Sequence, residues 1–247
     1  MEWSDRGVIL RHGLFHEADM WVRILFRERG LATAFAFGAA KSKVRFCGCL
    51  DTFNTIDVRL KTSSRNNYIN MLEASLIESP ANLRTNWRSM GLGFNCLRFM
   101  EAADIDADAA PECFSLAENL RRWLEREKTP DPMAARFFRI SLARLLGYAP
   151  NLNRCARCGC HPNGEAFFHA EEGRLYCGGC NPGDRRGSVA LSPVALANLR
   201  ALSSVEPADW TGFSLTGPDR RACSRLIDNF IEYHLGLKWD NGFFRRS

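Results

Sequence analysis

The sequence predicts an α+β protein with a small N-terminal barrel, then a helical domain into which a four-cysteine zinc module is inserted. Strand-like segments without helices between them fill the first 78 residues. Apolar residues then recur at helical spacing on both sides of a segment with two C-x-x-C pairs. We expect a barrel over 1–78, a zinc module over 153–184, and a helical domain in two parts over 79–152 and 185–247.

The barrel prediction depends on short apolar segments bounded by turn residues. The clearest lies at 55–61, where apolar and polar residues alternate as they do in a half-buried strand. Further candidate strands lie at 7–10, 20–26, 31–37, 46–50 and 68–76, and a turn is expected at 63–67. About five strands without crossover helices favour a closed barrel over a parallel sheet.

Five helices are predicted from apolar stripes. The first follows Ser79-Pro80, the third ends near Gly147, and the fourth follows Ser192-Pro193. The stripes are, in order, Leu83, Trp87, Met90, Phe94 and Leu97; Phe114, Leu116, Leu120, Trp123 and Leu124; Phe137, Phe138, Ile140, Leu142, Leu145 and Leu146; Leu196, Leu199 and Leu202; and Leu226, Ile227, Phe230, Ile231 and His234. No helix buries its stripe alone, so those on either side of the zinc module should pack together.

The two C-x-x-C pairs are separated by eighteen residues, a spacing typical of a tetrahedral four-thiolate zinc site. A hairpin at 166–169 and 174–176 would carry the second pair back onto the first. With four thiolates no coordination position stays open, so one structural zinc ion is expected. Its predicted ligands are Cys155, Cys158, Cys177 and Cys180, with Cys160 and His161 as bystanders.

Cysteine usage and hydropathy indicate the compartment. Four of the ten cysteines have metal-type spacing and the other six lie in apolar surroundings, which favours a reduced cytosol over a disulfide framework. The N-terminal residues have no apolar signal core, and no run is long enough to span a bilayer. The sequence therefore predicts a cytoplasmic protein with no membrane partner.

Signs of catalysis are absent from the sequence. It has no Walker loop, no G-x-S-x-G and no H-E-x-x-H. The five histidines lie apart in sequence and have no triad context. We therefore expect a protein that is not an enzyme.

Positive charge is concentrated on the predicted barrel. Residues 23–65 contain nine basic and three acidic side chains, an excess of six, whereas the whole chain has a net charge of +5. Six aromatic residues are interleaved with them: Trp21, Phe26, Phe35, Phe37, Phe46 and Phe53. A basic groove with stacking aromatics is how small barrels bind single strands, although some of these rings must form the core. The candidate DNA-binding residues are Lys41, Lys43, Arg45, Arg23, Arg27, Arg59 and Lys61, and a path along Arg185, Arg186, Arg245 and Arg246 is the alternative.

Three segments resemble the bacterial RecO family of DNA repair and recombination proteins. Residues 38–46, Gly-Ala-Ala-Lys-Ser-Lys-Val-Arg-Phe, resemble its glycine-alanine-basic loop. Residues 145–152, leading to the first C-x-x-C pair, resemble its approach to the zinc site, and Gly242-Phe243-Phe244 is similar to its basic tail. The resemblance covers essentially the whole chain.

The resemblance implies an OB-fold for the barrel and a recombination mediator for the whole protein. Such proteins bind single- and double-stranded DNA and anneal complementary strands. With the partner RecR, they help load RecA onto strands coated by single-strand-binding protein, whose acidic tail is a further expected contact. The resemblance thus implies a cytoplasmic, nucleoid-associated protein.

Two other classes of function remain open from the sequence. A zinc-stabilised regulator would bind a defined DNA or RNA sequence. A metal-dependent nucleic-acid enzyme would need an open metal site with nearby carboxylates, and only Glu165, Glu171 and Glu172 lie near the cysteines. Strand annealing by the purified protein would discriminate between these classes.

Overall fold

The computed structural model describes residues 1–63, 68–183, 188–202, 210 and 215–246, which form two compact units. The first unit comprises Met1–Gly91 and Asp104–Lys128, and the second comprises Leu92–Ala103 and Thr129–Ser247. Most of the predicted turn at 63–67, with Arg65, lies outside the described residues, as do Arg185 and Arg186.

The first unit contains the predicted barrel. Its strands are β1 (Glu2–Leu14), β2 (Met20–Phe26), β3 (Gly30–Ala36), β4 (Thr55–Thr62) and β5 (Ile69–Glu78). They close in the order β1-β2-β3-β5-β4, with β3 and β5 parallel and the other neighbours antiparallel. Closure leaves no free edge strand, and this five-stranded closed barrel confirms the predicted fold class.

Alternation along the strands sets the barrel interior. Val22 and Ile24 of β2 face inward with Ala34 and Ala36 of β3, whereas the residues between them face outward. The predicted strand at 46–50 is wrong. This segment forms turns with Gly48 at φ 66°, and Phe46, Cys49 and Leu50 insert into the barrel core from the loop instead.

The predicted first helix is divided into α1 (Ala81–Thr85) and α2 (Trp87–Ala103). Asn86 is extended between them, and its Oδ1 accepts hydrogen bonds from the backbone N–H groups of Arg88 and Ser89. The break rotates the predicted stripe, so Trp87 points into solvent. Leu97 is buried as predicted, and the buried face of α2 also includes Cys96, Phe99 and Met100.

The next helix, α3 (Ala110–Arg126), buries its predicted stripe within the first unit, where it packs on α1 and on β1, β2 and β3. The compact units therefore divide the helices of 79–152 differently from the predicted domains. A buried ionic network accompanies α3: Thr55 Oγ1 donates to Glu118, and Arg121, which is 2% exposed, also bonds Glu78 and Glu118. Arg122 approaches Glu118 from solvent at 3.0 Å.

The second unit contains α4 (Ala134–Leu145), α5 (Pro193–Leu202) and α6 (Gly217–Leu235). We call the segment with the two C-x-x-C pairs the cysteine module. As predicted, helices from both sides of it pack together, since α4 and α5 each pack against α6. Ser192 caps α5 by accepting a hydrogen bond from Ala195 N–H at 3.0 Å. No helix among the described residues is long and apolar enough to span a membrane.

The cysteine module is built on a four-stranded sheet in the order β6-β8-β7-β9. Its strands are β6 (Asn151–Cys155), β7 (Ala166–His169), β8 (Arg174–Cys177) and β9 (Ser188–Leu191), and β7 and β8 are the predicted hairpin. The sheet extends beyond the predicted end at 184, because β9 pairs with β7. A C-terminal hairpin of β10 (Leu237–Asp240) and β11 (Phe243–Arg246) was not predicted.

Candidate metal centre and nucleic-acid interface

Four thiols converge at one end of the cysteine module. Cys155 ends β6 and Cys177 ends β8, and the two strands are neighbours in the sheet. Cys158 follows in the turn after β6, and Cys180 ends a short 3-10 helix, Gly178–Cys180. The four sulfur atoms all lie within 4.8 Å of one another, so the structure brings the predicted ligand set together.

These distances fit a tetrahedral zinc ion. Zinc–thiolate bonds of about 2.3 Å at tetrahedral angles place the sulfurs about 3.8 Å apart. The Sγ atoms of Cys158 and Cys177 are 3.8 Å apart. Among the described residues this is the one cluster of three or more possible ligands, and Glu165, Glu171 and Glu172 are not part of it.

The thiols differ in their tendency to ionise. Burial opposes ionisation of Cys155, but backbone N–H groups of Cys158 and Cys177 outweigh it and lower its pKa to about 6. Contacts with the Cys158 and Cys177 thiols raise the pKa of Cys180 to about 12. Thiols this close cannot all lose a proton without a cation between them, so this donor set suits a divalent metal.

Neighbouring groups support the turn that carries Cys180. His169 is buried on β7, and its Nε2 lies 3.0 Å from the side-chain oxygen of Asn181. The ring of His169 also packs edge-on against Tyr176. Cys160 is exposed, and its carbonyl accepts a hydrogen bond from Cys155 N–H at 2.8 Å, which contributes to the turn. His169 lies on the predicted hairpin of the module, and its contact with Asn181 is what the sequence did not indicate.

The loop after β3 carries three of the predicted DNA-binding residues. Lys41 and Lys43 are exposed, and neither has an ion-pair partner among the described residues. Arg45 is tied to the loop instead: its guanidinium donates to the carbonyl of Phe37 at 3.0 Å and lies over the ring of Phe46. The two lysines are the charges most available to a phosphate.

Two of the other predicted basic residues, Arg59 and Lys61, are paired with carboxylates on the outside of the barrel. Arg59 bonds Glu73 at 2.9 Å and Glu2 at 3.5 Å, and Lys61 lies 3.7 Å from Glu2. Arg27, Arg45 and Arg59 line a groove of about 700 Å³, in which four arginines are matched by four carboxylates: Arg6, Arg27, Arg45 and Arg59 with Asp5, Glu28, Asp57 and Glu73. This groove has no excess charge to attract a phosphate.

The interleaved aromatic residues divide between the core and the surface. Phe26, Phe46 and Phe53 are buried. In contrast, Trp21 and Phe35 are cross-strand neighbours on the outer face of β2 and β3, where Arg23 bonds Thr33 two positions further along the strands. Phe37 follows at the end of β3 and is 39% exposed.

Further rings and one arginine enlarge this outer face. Phe15 and Tyr68 each contact both Phe35 and Phe37, with ring centroids 5.4–6.1 Å apart. Arg11 lies over Trp21 at 4.9 Å, and the indole can lie against β1 because its neighbour Gly13 has no side chain. We call these residues the aromatic face: Arg11, Phe15, Trp21, Arg23, Phe35, Phe37 and Tyr68. Alternation in β1 was the signal that could have identified Arg11.

Comparisons with known proteins agree with this architecture. The family described as recombination protein O matches with its N-terminal model at residues 1–80 and its C-terminal model at residues 84–241. The chain is 41% identical to a protein named DNA repair protein RecO from Nitratidesulfovibrio vulgaris (strain DP4) over 251 residues, covering 100% of both chains. Proteins of the same name from Lawsonia intracellularis (37%, 99% of each chain) and Oleidesulfovibrio alaskensis (36%, 100% of each) are also similar. The resemblance seen in the sequence is confirmed: the chain belongs to the recombination protein O family.

Proposed function

We propose that this protein acts in DNA repair and recombination as a mediator that binds single strands and anneals complementary ones. The observation that carries the proposal is the aromatic face on β2 and β3, together with the exposed Lys41 and Lys43 in the loop that follows β3. In small five-stranded barrels this is the face that receives oligonucleotides. Aromatic rings offer stacking to every base, so the binding should depend little on sequence.

Annealing requires strands that are held but still able to pair. Basic side chains reduce repulsion between two phosphate backbones, while stacking on exposed rings leaves the hydrogen-bonding edges of bases free. The charges come from the exposed side chains of Lys41 and Lys43. The stacking rings are those of Trp21, Phe35 and Phe37. This mechanism uses no covalent step and no nucleotide hydrolysis. Double-stranded DNA should bind through phosphate contacts alone.

The cysteine cluster suits a structural zinc ion in this proposal. Cys155, Cys158, Cys177 and Cys180 would hold it and leave no position for substrate. Bound zinc would keep the four thiolates ionised and cross-link the ends of β6 and β8. The chemistry of the protein would therefore lie elsewhere.

Partners complete the proposed role. RecR and RecA would act with this chain on strands coated by single-strand-binding protein. A pocket of about 430 Å³ beside α4 and α6 suits the acidic tail of single-strand-binding protein, because Pro132 and Met133 provide apolar lining and four arginines surround them. Arg221 and Arg225 are exposed there and have no ion-pair partner among the described residues. They are the charges available to a tail carboxylate.

The experiment is strand annealing with two complementary oligonucleotides of arbitrary sequence, one carrying a fluorophore and the other a quencher, without ATP. We expect the protein to accelerate annealing well above the spontaneous rate, for several unrelated sequences, and to lose this effect as salt rises. Substitution of both Lys41 and Lys43 by Ala should lower the rate, and Arg59→Ala with Lys61→Ala is the matched control with already neutralised charges.

Three outcomes would contradict the proposal. Tight binding of one sequence without annealing would favour a sequence-specific regulator. Cleavage of the oligonucleotides after addition of a divalent metal would favour an enzyme. Equal annealing by both double variants and the wild type would remove the loop lysines from the DNA path.

A further inference from the structure

Trp87 is the most exposed tryptophan in the described part of the chain, at 76%. It is the first residue of α2, where the extended Asn86 caps the helix and fixes the backbone. An indole in this position contributes little to the core. An indole that stays in water adds no hydrophobic stabilisation to the fold. Its position therefore points to a contact with another molecule.

One side of the indole is already occupied. The guanidinium of Arg88 lies 5.1 Å from its ring centroid, in a cation–π arrangement. The high exposure of Trp87 leaves its other face open to solvent. The pair therefore forms a flat platform with a positive charge on one side, and a planar group could stack on the other.

Three basic and two acidic residues lie at the start of α2 and the end of α3: Arg88, Arg126 and Lys128 with Glu125 and Glu127. The end of α3 lies beside the start of α2, because the side chains of Asn86 and Ser89 donate to the carbonyls of Lys128 and Glu127 at 2.8 Å and 3.2 Å. Among the described residues Arg88, Arg126 and Lys128 are exposed without an ion-pair partner. The carboxylate of Glu125 is already engaged, because it accepts hydrogen bonds from the backbone N–H groups of Asn82 and Leu83 in α1, both at 2.9 Å.

We propose that Trp87 is a second stacking contact for single-stranded nucleic acid, in which a base lies on the indole and Arg88 and Lys128 contact the neighbouring phosphates. A protein partner would need a contiguous apolar area, whereas charged residues surround this indole. An exposed ring among unpaired basic groups matches the chemistry of a single strand instead. This inference rests on the proposed function and adds a contact outside the aromatic face.

The test measures the affinity of the full-length protein for a fluorescent oligothymidylate at one fixed low salt concentration. Trp87→Ala should weaken binding about tenfold, which is the usual loss for one stacked base. Trp87→Phe keeps a stacking ring and should stay within about threefold of the wild type. Tyr233→Ala, which removes an aromatic residue that is 56% exposed in the other unit, is the matched control and should bind as the wild type does.

Tryptophan emission gives a second readout. Oligothymidylate should quench the wild-type emission, and Trp87→Phe should lose a measurable part of that quenching. Thermal unfolding of Trp87→Ala should match the wild type, since most of the side chain is in solvent.

The outcomes separate this inference from the function on which it rests. Wild-type affinity in Trp87→Ala, with weakened binding in the Lys41 and Lys43 double variant, would overturn the Trp87 contact alone. No binding of oligothymidylate by the wild type would overturn both. Equal weakening by Trp87→Ala and Trp87→Phe, without any change in quenching, would also contradict stacking on this residue.

Discussion

The barrel and the cysteine module are both small sheets, but different interactions hold them. The barrel has strands of seven to thirteen residues around fourteen buried side chains. The strands of the module have four or five residues, and four of its side chains are thiols at one end. The barrel has a large apolar core, whereas the smaller module should need a bound metal as a further source of folding energy. Five predictions sharpen this difference.

The largest effect is expected from removal of one thiol. Cys177→Ser should abolish stoichiometric zinc and unfold the module, because a structural metal supplies the folding energy of such a site. Metal analysis and hydrogen exchange would measure this, with exchange accelerated in β7 and β8 and unchanged in β2 and β3. Cys160→Ser is the control and should keep its zinc. Full zinc retention in Cys177→Ser would remove this residue from the ligand set.

A smaller but substantial loss is expected in the barrel unit from Arg121→Met. Glu118 is buried and would keep only the Thr55 hydroxyl and the solvent-exposed Arg122, so the free energy of unfolding should fall by about 3 kcal/mol. Arg122→Met, at an exposed position on the same helix, should cost below about 1 kcal/mol. Equal losses in the two variants, measured by chemical denaturation, would contradict a role for burial.

The same network predicts a pH dependence. The side-chain hydrogen bond from Arg121 lowers the pKa of Glu78, so this carboxylate stabilises the folded state above its unfolded pKa of about 4.3. The stabilisation should fade as pH falls from there through the lowered folded pKa. Arg121→Met should therefore lose less stability than the wild type between pH 5 and about pH 3. A parallel decline in both proteins would show that this pair does not contribute.

Gly30 gives a backbone test within the barrel unit. It has φ 76°, and a Cβ there would lie 2.4 Å from the carbonyl oxygen of Ile105. Gly30→Ala should therefore cost about 2 kcal/mol or more, since left-handed strain and a backbone clash add. Gly48→Ala has a similar φ of 66° with open space around it, and should cost about 1 kcal/mol. The stability losses of the two variants would be measured by thermal unfolding, and their difference would give the cost of the clash at Gly30.

The smallest effect concerns the salt dependence of single-strand binding. Lys41→Ala with Lys43→Ala should reduce the slope of log affinity against log salt by about 1.4, because each phosphate contact on a single strand contributes about 0.7. Arg59→Ala with Lys61→Ala should change the slope less, since Glu2 and Glu73 already neutralise these side chains. A larger change in slope for the Arg59 and Lys61 double variant than for the Lys41 and Lys43 double variant would place the DNA path on the groove with matched charges.

The two regions also differ in how far the sequence predicts them. Cysteine spacing alone predicted the ligand cluster, because two short turns leave the thiols little freedom. Alternation predicted the strands, but it misplaced a strand at 46–50, since a loop inserted into a barrel is as apolar as a strand. The break at Asn86 was missed because the apolar residues keep a helical spacing across it. It depends on the Asn86 side chain, which caps α2.

The nucleic-acid interface was the least predictable part. The sequence pointed to the barrel, but it could not separate Phe35 from Phe46, because one faces outward and the other lies in the core. Nor could it show that Arg59 is paired, since Glu2 reaches it only through the register of β1 and β4. Charge counted along the chain overestimates the charge available to a ligand.

Photo-crosslinking tests the central claim most directly. A single strand containing 5-iodouracil would be irradiated with the zinc-loaded full-length protein, and the linked peptides identified by mass spectrometry. We expect adducts on the aromatic face of the barrel unit, at Trp21, Phe35, Phe37 or Tyr68, and none on the strands of the cysteine module. Adducts confined to the cysteine module, or absent from the barrel, would contradict it.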